Sequence, residues 1–171
     1  MKNNKIKIIT VSGMLTALSV VLLSIGTVFT TMDLSMAIFT GFIIIFADMV
    51  CGKKSAVAVY TATTVLTWLL LPNKLLALFY GLFGGLYPLI KEYAEKVNNK
   101  WLSYLLKLVI ANVSATIIYF LIKFLFQSDD DLFKMFLPLF YLIINIVFLL
   151  YDYAMLKITI LMGNMVKRMI K

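Results

Sequence analysis

The chain has no histidine and only one cysteine, Cys51. The first absence removes the commonest general base and the commonest metal ligand together. Catalysis by Ser-His-Asp or Cys-His groups is thereby excluded, as is an HExxH zinc site. The lone cysteine excludes an intramolecular disulfide and any cysteine-based metal cluster. Acids are scarce, with eight Asp and Glu in all, too few for the aspartate-rich metal sites of phospholipid synthases. No Walker A sequence occurs, so the chain has no ATPase site of that kind. These exclusions argue against an enzyme, and no cofactor is called for.

What is abundant is apolar. Of 171 residues, 63% are hydrophobic and 14% charged, whereas a soluble domain is typically about half apolar and about a quarter charged. Mean hydropathy is +0.99. A core of this size cannot hide so much apolar surface, so lipid must solvate many of these side chains. The net charge of +8 invites a nucleic-acid reading, but the cations sit at the ends of apolar runs, where membrane proteins keep anchors and topology signals.

A helix needs roughly 20 apolar residues to cross the hydrocarbon layer. Six candidate spans meet or approach that length: 8–29, 34–50, 55–71, 75–90, 102–126 and 133–161. The runs are continuously apolar and lack the alternation of a β-barrel strand. The expectation is an all-α integral membrane protein, one six-helix domain over 1–171. The basic start followed by an apolar run is read as the first span rather than a signal peptide, because five more runs come after it.

The connections differ in charge. One side carries Lys2, Lys5, Lys7, Lys53, Lys54, Lys91, Lys96, Lys100, Lys167, Arg168 and Lys171; the other carries only Lys74 and Lys134, together with Asp33 and Asp129 to Asp131. The positive-inside rule then places both termini in the cytoplasm. The polar stretch 91–100, KEYAEKVNNK, reads as a loop within the domain, flanked by Tyr93 and Trp101 as interfacial anchors.

Polar residues inside spans are costly unless paired or wet. Asp48 lies near Lys53 and Lys54 at the inner end of the second span. Asp152 and Lys107 lie at similar depth on the sixth and fifth, which suggests an ion pair that fixes packing or, less economically, a cation path. Asn112 and Asn145 both fall near mid-bilayer at 1.5 Å per residue. They either bond to each other across the two helices or face a ligand. Toward the outer ends, Asp33, Trp68, Asn73, Lys74, Tyr80, Lys123 and Tyr141, with Asn145 deeper, are candidates to line a small-molecule pocket with aromatic walls and a few fixing charges. Aromatic belts and snorkelling lysines account for the same residues without a ligand. Gly81, Gly84 and Gly85 make a thin strip in the fourth span, which Pro88 is expected to kink or end.

Gly13 and Ala17, four apart, share one face of the first span, widened by Ser12 and Thr16. So flat a strip lets another helix approach closely, from this chain or from another subunit. The stretch Gly13-Met14-Leu15-Thr16-Ala17-Leu18-Ser19 resembles the small-xxx-small motif and following Leu-Ser of the substrate-binding S components of energy-coupling factor (ECF) transporters, with Gly in place of the usual first Ala. Those are small, basic, six-helix bacterial membrane proteins, and the likeness in topology covers the whole chain. It implies a vitamin-like solute held near the outer face under the first loop (27–33), with Lys74 and Lys123 meeting an anionic group and Trp68, Tyr80 or Tyr141 stacking on a ring. It also implies that Gly13 and Ala17 meet a transmembrane coupling subunit driven by two ATPase subunits. The rival expectation is a non-catalytic scaffold of the bacterial envelope, similar in size and hydropathy to MreD-like shape proteins.

Overall fold

A computed structural model describes residues 2–95, 99–126 and 137–170. The acidic run 129–131, with Lys96, Lys134 and Lys171, lies outside them. Among the described residues there is no strand. The helices are α1 (Lys2–Val28), α2 (Asp33–Cys51), α3 (Lys53–Leu70), α4 (Lys74–Phe79), α5 (Leu86–Glu95), α6 (Lys100–Phe126) and α7 (Leu137–Ile170), with a π-helical turn, Tyr80–Gly84, joining α4 to α5.

Five segments are long and apolar enough to cross a membrane: Lys5–Val28, Asp33–Cys51, Lys74–Glu95, Trp101–Leu121 and Tyr141–Asn164. The third expected span coincides with α3 but falls short of that standard. Its 18 residues begin with two lysines and carry four threonines. Three of those hydroxyls are satisfied locally: Thr61, Thr64 and Thr67 each donate to the carbonyl four residues back, at 3.0, 2.8 and 2.8 Å. Large apolar side chains are exposed along most helices, Trp101 at 85%, as lipid-facing surfaces require.

The described residues form two compact units, 1–90 with 158–171, and 91–157. In the first, α1, α2 and α3 each touch the other two, and α4 packs on all three. One cluster at its core gathers Leu23, Ala37, Leu71, Leu76 and Tyr80; another gathers Ile44, Ala47, Ala56 and Val59. The joint between α2 and α3 is a single residue, Gly52, at φ +86°, a left-handed conformation that disfavours any residue with a Cβ.

The break in the fourth span precedes Pro88 instead of falling on it. Proline has no N–H to offer the carbonyl of Gly84 and its ring crowds that carbonyl, so the preceding turn widens. Gly85 N–H reaches the Tyr80 carbonyl at 2.7 Å, five residues back. The Gly81 carbonyl, which Gly85 would cap in a regular helix, instead accepts from the Tyr60 hydroxyl at 2.7 Å. The glycines are needed for approach. A Cβ on Gly84 would lie 2.9 Å from the Ala37 carbonyl oxygen, and one on Gly85 would lie 2.7 Å from the Tyr80 ring.

The second unit comprises the end of α5, α6, and α7 as far as Lys157. The expected loop 91–100 is helical through Glu95, and Lys100 already belongs to α6. Helical geometry holds Lys91 and Glu95 one turn apart on a single face, where both join an ion-pair cluster.

Candidate functional site

Two polar constructions stand out, one in each unit. In the first, the turn from α3 to α4 is tied to the start of α2. Asn73 caps α4, its Oδ1 accepting from Leu76 N–H at 3.2 Å, while its Nδ2 donates to Asp33 Oδ2 at 2.8 Å. Asp33 opens α2, where a carboxylate also favours the positive end of the helix dipole. Its Oδ1 is buried with no hydrogen-bond partner.

Lys74 turns back onto α3. Its Nζ donates to the carbonyls of Trp68 at 2.6 Å and Leu71 at 2.9 Å, two of the groups that a helix C-terminus leaves unbonded. It also lies 5.8 Å from the centre of the Trp68 ring. Trp68 itself is 44% exposed and walls a groove of about 420 Å³ between α3 and the α4–π segment, with Tyr60, Thr64 and Leu69 on one side and Leu78, Gly81 and Leu82 on the other.

Four of the expected residues, Asp33, Asn73, Lys74 and Trp68, therefore meet at one end of the first unit. Tyr80 does not join them. It is fully buried, 6.3 Å from Tyr60 ring to ring, and absent from the groove lining; its role is core packing. Tyr60 and Thr64 are the groove residues that sequence reasoning missed. They share a face with Trp68 at four-residue spacing, a signal present in the sequence but masked by the threonine-rich character of α3.

In the second unit a cluster of four charges is drawn from three helices. Lys91 Nζ lies 2.8 Å from Asp152 Oδ1 and 3.7 Å from Glu95 Oε1; Lys107 Nζ lies 3.1 Å from Asp152 Oδ2 and 2.8 Å from Glu95 Oε1. Lys91 also donates to the Asp152 carbonyl at 3.1 Å. Among the described side chains two cations face two anions, which is what makes burial of Lys91, Lys107 and Asp152 affordable. The expected Lys107–Asp152 pair is present. Lys91, taken from sequence as a loop cation, is buried in the same cluster, because helix α5 carries it inward.

Farther along α6 and α7, Asn112 and Asn145 exchange hydrogen bonds at 2.9 and 3.2 Å. Each amide also donates to its own helix, to the carbonyls of Leu108 and Tyr141, at 2.8 Å. Beyond them Thr116 Oγ1 and the Tyr141 hydroxyl are 2.8 Å apart. The packing alternative for Asn112 and Asn145 is thus the one observed, and Tyr141 and Asn145 are engaged with α6. Lys123 lies in the last turn of α6.

A paired amide between membrane helices is worth about 0.6 kcal/mol on average. Asn112→Leu is expected to destabilise the purified protein by more than the double variant Asn112→Leu/Asn145→Leu. The single change strands one amide in an apolar seam, and the double leaves none. Thermal melts of the three proteins in one detergent check the order.

No family model, curated protein or solved structure matches this chain. What its helices and surface define is a class: an all-α, multi-pass membrane protein.

Proposed function

We propose that this chain is the solute-capturing S component of an ECF-type importer in a bacterial cell membrane. It would cross six times, α3 being the third span, with both termini cytoplasmic as the distribution of cations argues. The observation that carries the reading is the outer face of α1. A Cβ on Gly13 would meet nothing within 4 Å, and Ala17 is exposed, while Thr16 and Ser19 on another face are buried. Among the described residues Gly13 and Ala17 are thus left uncovered, whereas Thr16, expected to widen the strip, is buried. The uncovered pair supports docking of a second polypeptide on this face. A transmembrane coupling subunit, powered by two ATPase subunits, fits a binder with no nucleotide site of its own. Asp33, Asn73, Lys74 and Trp68, at the opposite end of the helices from Lys53 and Lys54, form the pole at which a vitamin-like solute would arrive.

A non-catalytic envelope scaffold is the second reading. The mutual satisfaction of Asn112 with Asn145 and Thr116 with Tyr141 favours it, since those groups hold helices together and leave little polar capacity for a solute.

Co-purification separates the two. The chain expressed with its native partners should bring down a coupling subunit and two ATPases. Gly13→Leu and Ala17→Leu should reduce that recovery at least tenfold while leaving the melting temperature and solute binding unchanged. A lowered melting temperature with recovery intact would assign the strip to this chain's own fold and leave the scaffold as the better account.

A further inference from the structure

The groove between α3 and the α4–π segment has a chemistry that narrows what it can hold. Its long axis follows α3 from Tyr60 to Trp68 and Leu69, about 13 Å at the helical rise of 1.5 Å per residue. No acidic or basic side chain is among its lining residues. Two hydroxyls are, and both are already committed as donors to the backbone: Thr64 Oγ1 to the Tyr60 carbonyl at 2.8 Å, and the Tyr60 hydroxyl to the Gly81 carbonyl at 2.7 Å. The body of any occupant must then be apolar, because a solute rich in hydroxyls or amides would leave its own groups unbonded there.

One end of the groove differs. Lys74 lies against Trp68, and the two partners of its ammonium are neutral carbonyl oxygens. An ammonium has three donors, so one remains, together with a whole positive charge that neither carbonyl cancels. Lys74 is not itself a lining residue, but its ammonium lies 5.8 Å from the ring centre of Trp68, which is one. An apolar trough with a cation beside its Trp68 end is complementary to a single apolar chain or ring ending in one negative charge.

We propose that this groove binds a small apolar monocarboxylate, its carboxylate on Lys74 and its hydrocarbon part laid between Trp68 and Tyr60 on one wall and Leu78 and Leu82 on the other. The proposal rests on reading the chain as a solute binder and specifies the class of solute.

The full chain with Trp101→Phe, in nanodiscs of zwitterionic lipid, leaves Trp68 as the sole indole reporter. Octanoate should change its emission saturably. Octylamine, of equal chain length and opposite charge, should not. Lys74→Gln, which keeps a donor for the α3 carbonyls but loses the charge, should weaken octanoate binding five- to tenfold, and Lys74→Arg should restore most of it. Leu78→Phe, which narrows the trough without touching Lys74, should weaken octanoate in the same way and so covers the case in which Lys74→Gln fails to fold.

Equal responses to octanoate and octylamine would overturn the proposal, as would a non-saturating response or one indifferent to Lys74 and Leu78. Displacement of octanoate by anionic phospholipid at membrane concentrations would assign the groove to lipid and equally overturn it. If octanoate fails while the chain still co-purifies with a coupling subunit and ATPases, the solute class falls and the importer reading stands. If octanoate binds and no such complex forms, the reverse holds.

Discussion

Asp152→Ala is expected to be the most damaging single substitution in the chain. In the native protein Lys91, Lys107 and Asp152 are 4–5% exposed, and among the described side chains Asp152 is the acid that lies within 3.1 Å of both ammonium groups. Its removal leaves two cations to share Glu95, which is 3.7 Å from Lys91. Breaking a buried pair by deleting one partner costs about 3–5 kcal/mol, because the survivor is buried without compensation. That is a large part of the roughly 5–15 kcal/mol stability of an ordinary domain. Lys91→Leu combined with Asp152→Leu removes one charge of each sign and retains the Lys107–Glu95 pair at 2.8 Å. The double variant should recover most of the loss. Thermal denaturation of the purified single and double variants decides it; a harmless Asp152→Ala would mean that the cluster is hydrated and carries little of the packing.

Gly84→Ala should destabilise as well, against the ordinary direction for a helical glycine. Replacing glycine by alanine inside a helix normally gains about 1 kcal/mol of propensity. Here the new methyl would sit 2.9 Å from the carbonyl oxygen of Ala37, and a backbone atom cannot rotate away as a side chain can. Relief requires the π turn to move off α2, and overpacking of this kind typically costs about 1–3 kcal/mol. The net effect is a loss of up to about 2 kcal/mol, larger for Gly84→Leu. Gly13, with open space where its Cβ would be, is the internal control: leucine there should leave the melting temperature of the isolated chain unchanged. The same residue type at two positions thus tests which way α1 and the π turn face. If both substitutions behave alike in a melting experiment, that assignment of faces is wrong.

Some of this tertiary structure is legible from residue counting. Equal depth from the helix ends is enough to bring Lys107 to Asp152 and Asn112 to Asn145, because in two antiparallel spans joined at one end, depth is set by counting residues. The same counting fails for Lys91. It assumes that the helix stops where the polar stretch begins, whereas α5 runs on through Glu95 and turns its basic residue toward Asp152 on α7. The burial of Tyr80 in the core is beyond residue counting for a related reason. The fourth span is apolar on most sides, so periodicity does not reveal which face is covered. The π turn then inserts an extra residue and rotates the remainder of the span by about 100°, the step of one residue at 3.6 per turn. Pro88 signals a disturbance, but the widening falls earlier, at Tyr80–Gly84, where glycines let α2 approach and the Tyr60 hydroxyl receives the stray carbonyl. Tyr60 is 21 residues from that carbonyl, and no local pattern connects them.

What the sequence by itself determined is the solvent and the secondary structure. Helices in lipid must satisfy their own backbone groups, so a run of apolar residues is a sufficient instruction, and it placed a helix at each of the six expected positions within the described residues. The partners of the polar side chains were decided by tertiary structure alone. Which lysine neutralises Asp152, which hydroxyl caps Gly81, and whether the strip at Gly13 is covered all depend on groups brought in from other helices. Such meetings are governed by long-range packing and by the cost of leaving a charge or a carbonyl unpaired in a medium without water, and neither is written in any single stretch of chain.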